Sequence, residues 1–274
     1  MALPTPPPTF RLNFGEAFAF LFRDPHWPRK CALAALCSLF SFTFLPYLLV
    51  AGYLLTLSER VMRLEPQPLP AWTDLGTLLR KGWRVFIVRV VYYLPVWLIS
   101  LCMVGLVLAA FFSLGGISLF RGTTTIPSTS LAPFWLFFLI IPLGLLLIPL
   151  GLASACIVPA ADAQLVLHEG QLEPAFRLGA VFAFIRRNLG QYALMVILYA
   201  AASRVLSGGS SAGFQFSGGF GGGGIDRTLI VFLVLIALIF VLVSGIVGLY
   251  LRCFQAHMIG QLCWYEREVR GHEH

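Results

Sequence analysis

Seven polar side chains sit inside or at the edge of long apolar stretches: Tyr53, Arg89, Asp162, Gln164, Arg252, Gln255 and His257. An ionisable group in such a place is costly to bury, so each is a candidate for ligand binding, proton transfer or helix pairing. Arg89 follows soon after the start of one apolar stretch, and Asp162 precedes the end of the next. Arg252 and His257 fall near the corresponding end of the last stretch. At a helical rise of about 1.5 Å per residue, all four lie within about two turns of one interface. The spacing predicts an intramembrane polar cluster in which Asp162 pairs with Arg89 or Arg252, with Gln164, Gln255, His257 and Tyr53 around it. The simplest chemistry for such a pair is to fix helix register, with the long side chains reaching toward the headgroups. No set of residues in it specifies a reaction.

Other chemistries find little support. The six cysteines include no C-x-x-C pair and lie in or beside apolar runs, where they read as small buried hydrophobes. Gly221–Gly224 precedes no Lys-Ser/Thr, so it is no phosphate loop, and His168-Glu169 lacks the second histidine of a zinc-protease helix. His272 and His274 stand at the very end of the chain. No catalytic residue, metal site or cofactor is expected, and the chain reads as a non-enzyme.

The elements that carry these residues are apolar helices. Gly122–Ala161 contains no Asp, Glu, Lys or Arg, and its centre offers no polar face for water. Such a run exceeds the roughly 20 apolar residues that cross a hydrocarbon layer. Only 11% of the chain is charged, against about 25% for soluble domains. The net charge of +7 flanks the apolar runs and forms no nucleic-acid patch. Apolar segments are predicted at about 31–57, 85–112, 133–168, 191–206 and 228–262, all in a single transmembrane domain over 10–274. A disordered Pro-rich tail covers 1–9 and a flexible Gly/Ser linker 207–225. Pro46 should break the first segment, and Pro95, Pro142 and Pro149 should interrupt later ones.

Local signals add detail. Asn13 and Glu16 fit a capping box. Phe14, Phe18, Leu21 and Phe22 share one face of a predicted interfacial helix, and residues 171–188 form a second. Thr73 is expected to cap a short helix over 74–83. Ser244 and Gly248, four apart, read as a close helix-packing face. Leu64-Glu65-Pro66 recurs as Leu172-Glu173-Pro174, each before a Leu-Gly pair, basic residues and an apolar span. This is the pattern of a weak internal repeat.

Positive residues accumulate on the cytoplasmic side of membrane proteins. The 58–84 and 169–187 connections and the C-terminal tail are rich in arginine, whereas 113–132 and 207–227 carry only Arg121 and Arg227. The first set and the C-terminus are therefore placed in the cytoplasm. Arg11, Arg23, Arg29 and Lys30 place the N-terminus there too, which a single crossing by 31–57 forbids. A re-entrant hairpin broken at Pro46, followed by four crossings, resolves the conflict. Five crossings with an external N-terminus is the alternative.

Phe22-Arg23-Asp24-Pro25-His26-Trp27, then Lys30, an apolar run with a central proline, Gly52-Tyr53, Leu69-Pro70-Ala71-Trp72 and Tyr93-Leu94-Pro95 form an ordered set. With the closing Ala256-His257-Met258-Ile259-Gly260-Gln261, this set resembles the prokaryotic membrane-protein family of domain of unknown function 4013 (DUF4013). The resemblance covers most of the chain outside the proline tail and the glycine linker. It implies an integral membrane protein of bacteria or archaea and assigns no activity and no site residue.

The expected architecture is an all-α, polytopic transmembrane helix bundle of four to five spans, with amphipathic helices on the cytoplasmic side. The expected role is a non-enzymatic scaffold or accessory subunit in the cell membrane, with membrane lipids and other membrane proteins as partners and no nucleic acid. The alternative is a small transporter or channel using the Arg89/Asp162/Arg252/His257 cluster.

Overall fold

The computed structural model describes residues 12–40, 43–67, 69–113, 132–212 and 227–271. Among these the order is α1 (Phe14–Ala19), a 3-10 turn (Phe20–Arg23), α2 (Trp27–Leu39), α3 (Phe44–Met62), α4 (Leu75–Ser113), α5 (Ala132–Leu167), α6 (Leu172–Phe176), α7 (Leu178–Arg187), α8 (Leu189–Ala212) and α9 (Arg227–Gly271). No strand occurs among the described residues. Among the described residues, four helices are long and apolar enough to cross a membrane, within Phe44–Met62, Leu75–Ala109, Phe138–Leu167 and Leu242–Glu268. A fifth span exists if α7 and the start of α8, bent by 95°, count as one. The expected all-α bundle is what the chain forms.

Several boundaries differ from the sequence expectation. The first apolar segment does break, but around Phe40–Thr43, where the Thr43 amide and hydroxyl both donate to Phe40 O. Pro46 instead sits in the first turn of α3, where a missing N–H costs nothing. The 13 residues of α2 reach about 20 Å, short of the roughly 30 Å of hydrocarbon. Pro95 lies inside an unbroken α4, and Pro142, Pro149 and Pro159 lie inside an unbroken α5. The short helix expected at 74–83 is the start of α4, and its cap is Asp74, not Thr73: Thr77 N and Oγ1 donate to the Asp74 carboxylate at 3.0 and 2.5 Å. The helix predicted over 171–188 divides at Arg177 into α6 and α7. Residues 207–212 of the predicted linker are helical, as the end of α8. The rest of that linker and the 1–9 tail lie outside the described residues.

The chain forms two compact units, Met1–Phe86 with Ala160–His274, and Ile87–Pro159. In the first, α3 and α9 are central. Val50, Tyr53, Leu54 and Leu57 of α3 bury against Leu249, Cys253 and Ala256 of α9, with Phe20, Leu21, Ala34 and Leu69 closing the cluster. Three glycines set how near the helices come. A Cβ on Gly52 would lie 1.9 Å from Leu78 O, and one on Gly82 would lie 1.8 Å from Leu48 O, so α3 and α4 touch main chain to main chain. A Cβ on Gly260 of α9 would lie 2.7 Å from Ser58 O of α3. At Gly248, where close packing was expected, an added Cβ meets nothing within 4 Å.

The N-terminal helix is fastened to α9. Glu16 N donates to Asn13 Oδ1 at 3.0 Å, which is half of the predicted capping box. The other half is replaced: Asn13 N donates to Gln261 Oε1 at 3.1 Å, while Glu16 pairs with Arg23 at 2.9 Å. Tyr250 Oη donates to Phe18 O at 3.0 Å, and the Phe18 ring lies 4.6 Å from that of Phe254.

The second unit comprises the later part of α4 and most of α5. Ser154 Oγ donates to Tyr92 O at 3.2 Å within it. Trp97, Leu101, Phe112, Phe138, Ile148 and Leu152 are all exposed.

Candidate functional site

The polar structure of the first unit centres on the loop from Arg63 to Asp74. Asp24 follows the 3-10 turn and is fully buried, with Oδ1 accepting from His26 N at 2.8 Å and Oδ2 from Lys30 Nζ at 2.6 Å. Burial works against its charge. The Lys30 hydrogen bond, the His26 N–H and the Lys30 charge outweigh that penalty and hold the carboxyl below its ordinary range. Lys30 Nζ also donates to Leu69 O at 3.1 Å, and Arg60 donates to the same carbonyl at 3.3 Å. Trp72 Nε1 donates to Lys30 O at 3.2 Å, and its indole stacks on Tyr53 with ring centroids 5.0 Å apart. The loop is thus tied to α2 and α3 by the side chains of Lys30, Arg60 and Trp72.

Beside this knot, between α3 and the start of α4, lies a cleft of about 290 Å³. Its lining includes Thr56, Glu59, Arg60 and Arg63 from α3 and its end, Glu65, Pro70, Ala71 and Thr73 from the loop, and Asp74, Thr77, Leu78 and Lys81. Lys81 Nζ hydrogen-bonds Glu59, whose carboxylate is buried. The Thr77 hydroxyl and N–H hold the Asp74 carboxyl below its usual range.

A wider groove of about 790 Å³ runs past the C-terminal ends of α3 and α5 and the last turns of α9. Both helix ends close with a left-handed residue that is not glycine, Leu64 (φ 55°) and Glu169 (φ 53°), the second followed by Gly170 (φ 83°). The closing bonds are of one kind, Glu65 N to Arg60 O at 3.0 Å and Gly170 N to Leu165 O at 2.7 Å. Arg63 and Glu169 meet across the groove at 3.8 Å. The ending falls on Leu64 itself in the first Leu-Glu-Pro and three residues before Leu172 in the second, where the copy opens α6, so the similar endings are out of register with the repeat.

The residues predicted as an intramembrane cluster are distributed as follows. Tyr53 is buried in the α3/α9 core, and its hydroxyl makes no hydrogen bond among the described residues. His257 is buried with its ring stacked on Phe20 at 4.5 Å and Nδ1 3.3 Å from Gln261 Nε2. Gln164 Nε2 donates to Ala180 O at 3.5 Å. Asp162 is buried on α5, Gln255 is half-buried and Arg252 is exposed on α9. Arg89 belongs to the second unit and the other six to the first.

Sequence reasoning missed three pairs outside that cluster. Besides Asp24–Lys30 and Glu59–Lys81, the buried Glu266 accepts from Arg187 at 2.7 Å and from Asn188 Nδ2 at 3.4 Å, bracing the α7–α8 bend against α9. The available signal was that Asp24, Lys30, Tyr53, Leu69 and Trp72 all belong to the ordered set quoted above. The structure brings those scattered pieces to one place.

Long apolar helices, with the ion pairs of the first unit gathered about helix ends and loops, define an integral-membrane helical bundle. The chain belongs to the family described as protein of unknown function (DUF4013), whose model matches residues 35–212, more than half of its length. The Phe22–Trp27 and Ala256–Gln261 pieces lie outside that match. No curated protein and no solved structure matches the chain.

Proposed function

We propose that the protein is a non-enzymatic scaffold or accessory subunit of the cell membrane that holds lipid and other membrane proteins. The observation that carries this reading is the second unit. Its large apolar side chains, from Trp97 and Leu101 to Ile148 and Leu152, face outward on two long helices. Such a surface suits acyl chains or a neighbouring apolar helix. The ion pairs of the first unit support it: Asp24 is joined to Lys30, Glu59 to Lys81 and Glu266 to Arg187, and each pair braces a loop, a helix crossing or a bend. The arginine bias of the connections puts both termini in the cytoplasm in this reading, with α2 and α3 as a re-entrant pair.

The test is gentle detergent purification of the full chain with identification of co-purifying proteins and lipids. A stoichiometric membrane-protein partner supports the scaffold. Solute flux into reconstituted vesicles that depends on the protein overturns it in favour of a transporter.

A further inference from the structure

We propose that the cleft between α3 and the start of α4 binds a phosphoethanolamine zwitterion, which rests on the reading of the protein as a lipid-binding scaffold. The Gly52/Gly82 crossing presses the two helices together. The cleft opens immediately beyond it, at the ends of two candidate spans, the depth at which headgroups lie. Its charges balance: Arg60, Arg63 and Lys81 stand against Glu59, Glu65 and Asp74. A bare anion entering it meets three carboxylates, and a bare cation meets three basic groups. A ligand carrying one charge of each sign meets a partner for both.

Two of these groups keep capacity for a ligand. Arg63 is half-exposed, and its contact with Glu169 is loose at 3.8 Å. A guanidinium offers five donors in a fork that matches phosphate oxygens. Glu65 stands 3.5 Å from Arg60 and is also partly exposed, so its oxygens have acceptor sites to spare. The phosphate is assigned to Arg63 with Arg60 beside it, and the ammonium to Glu65 with Asp74 beside it. The volume of about 290 Å³ is at the lower limit of ligand pockets, which suits a headgroup and leaves the acyl chains outside.

The experiment is native mass spectrometry of the detergent-solubilised full chain, titrated with dioleoyl phosphatidylethanolamine, phosphatidylcholine or phosphatidylglycerol. Phosphatidylcholine keeps both charges but its ammonium has no N–H to donate, and phosphatidylglycerol has no cation. Phosphatidylethanolamine is expected to be retained about tenfold better than either, the ratio that one charge-assisted hydrogen bond supplies. Arg63→Gln should lower the retention of all three lipids and Glu65→Gln should remove that preference, both at unchanged thermal stability. Arg177→Gln, which removes an exposed pair with Glu173 elsewhere, should keep it.

Soluble glycerophosphoethanolamine serves as competitor. Displacement of the lipid at matched concentration supports the zwitterion and names a soluble source; no displacement supports it and names the membrane. Equal retention of the three lipids by the parent, a preference that survives Glu65→Gln, or undiminished retention by Arg63→Gln overturns the proposal. None of these outcomes touches the scaffold reading, which falls on protein-dependent flux.

Discussion

Replacing Gly52 by alanine puts a methyl carbon 1.9 Å from Leu78 O, 2.7 Å from Leu78 C and 2.9 Å from Gly82 N. All three are main-chain atoms, so no rotamer change relieves the clash. Carbon and carbonyl oxygen rest at about 3.3 Å or more, so α3 and α4 must part by roughly 1.4 Å. That gap removes dispersion contacts along the whole crossing and strains what remains. Overpacking of this kind costs about 1–3 kcal/mol, and contact with rigid backbone places Gly52→Ala toward the upper end. The internal control is Gly248→Ala, where the new methyl meets nothing within 4 Å. There only helix propensity acts, in favour of alanine by about 0.8–1.0 kcal/mol. The two substitutions are chemically identical and should differ in sign. Thermal unfolding in detergent micelles, followed by tryptophan fluorescence, reads both. At about 2–4 °C per kcal/mol, Gly52→Ala should lower Tm by about 4–10 °C and Gly248→Ala should raise it by about 2–4 °C. A Gly52→Ala variant as stable as the parent, or both variants moving the same way, refutes the reasoning.

Three further outcomes follow. Asp24→Asn leaves Lys30 buried without its counter-charge and should cost about 3 kcal/mol, read by the same melts. Because the folded-state pKa of Asp24 is depressed, its stabilisation is present above the ordinary carboxylate pKa. It is lost as pH falls through the lower folded value, so the parent and Asp24→Asn should converge in stability only in acid. Gln261→Leu removes the acceptor for Asn13 N, and amide exchange over Phe14–Ala19 should quicken while Tm changes little. In a cysteine-free background, Thr9→Cys should resist a membrane-impermeant thiol reagent added to intact cells; labelling from outside rejects the re-entrant reading of residues 27–62.

Where the sequence was read well, one physical term dominated. The uncharged stretch over Gly122–Ala161 could only be apolar helix, and α5 runs through its described part. Asn13 was legible as a cap because that chemistry is local. The prolines misled because their usual cost assumes that water takes up freed backbone groups. In an apolar setting a broken helix leaves more groups unsatisfied than a proline does, so α4 and α5 continue through Pro95 and Pro142. The close approaches at Gly52, Gly82 and Gly260 were hidden because every glycine looks alike until a neighbour is placed, and the Ser244/Gly248 spacing pointed to an open surface instead. The Asp24–Lys30–Leu69–Trp72 knot was hidden for the same reason. Its members stand up to 48 positions apart, from Asp24 to Trp72, and only the folded loop joins them.

The seating of α3 limits how this part of the protein can move. It is gripped by main chain on two sides, by α4 at Gly52 and Gly82 and by α9 at Gly260. Advancing a helix by one residue moves it about 1.5 Å and turns it by about 100°. A side chain would then arrive where only a hydrogen atom fits. Such a joint has no intermediate notches: the helices can pivot about their crossing points, but they cannot slip past one another like pistons.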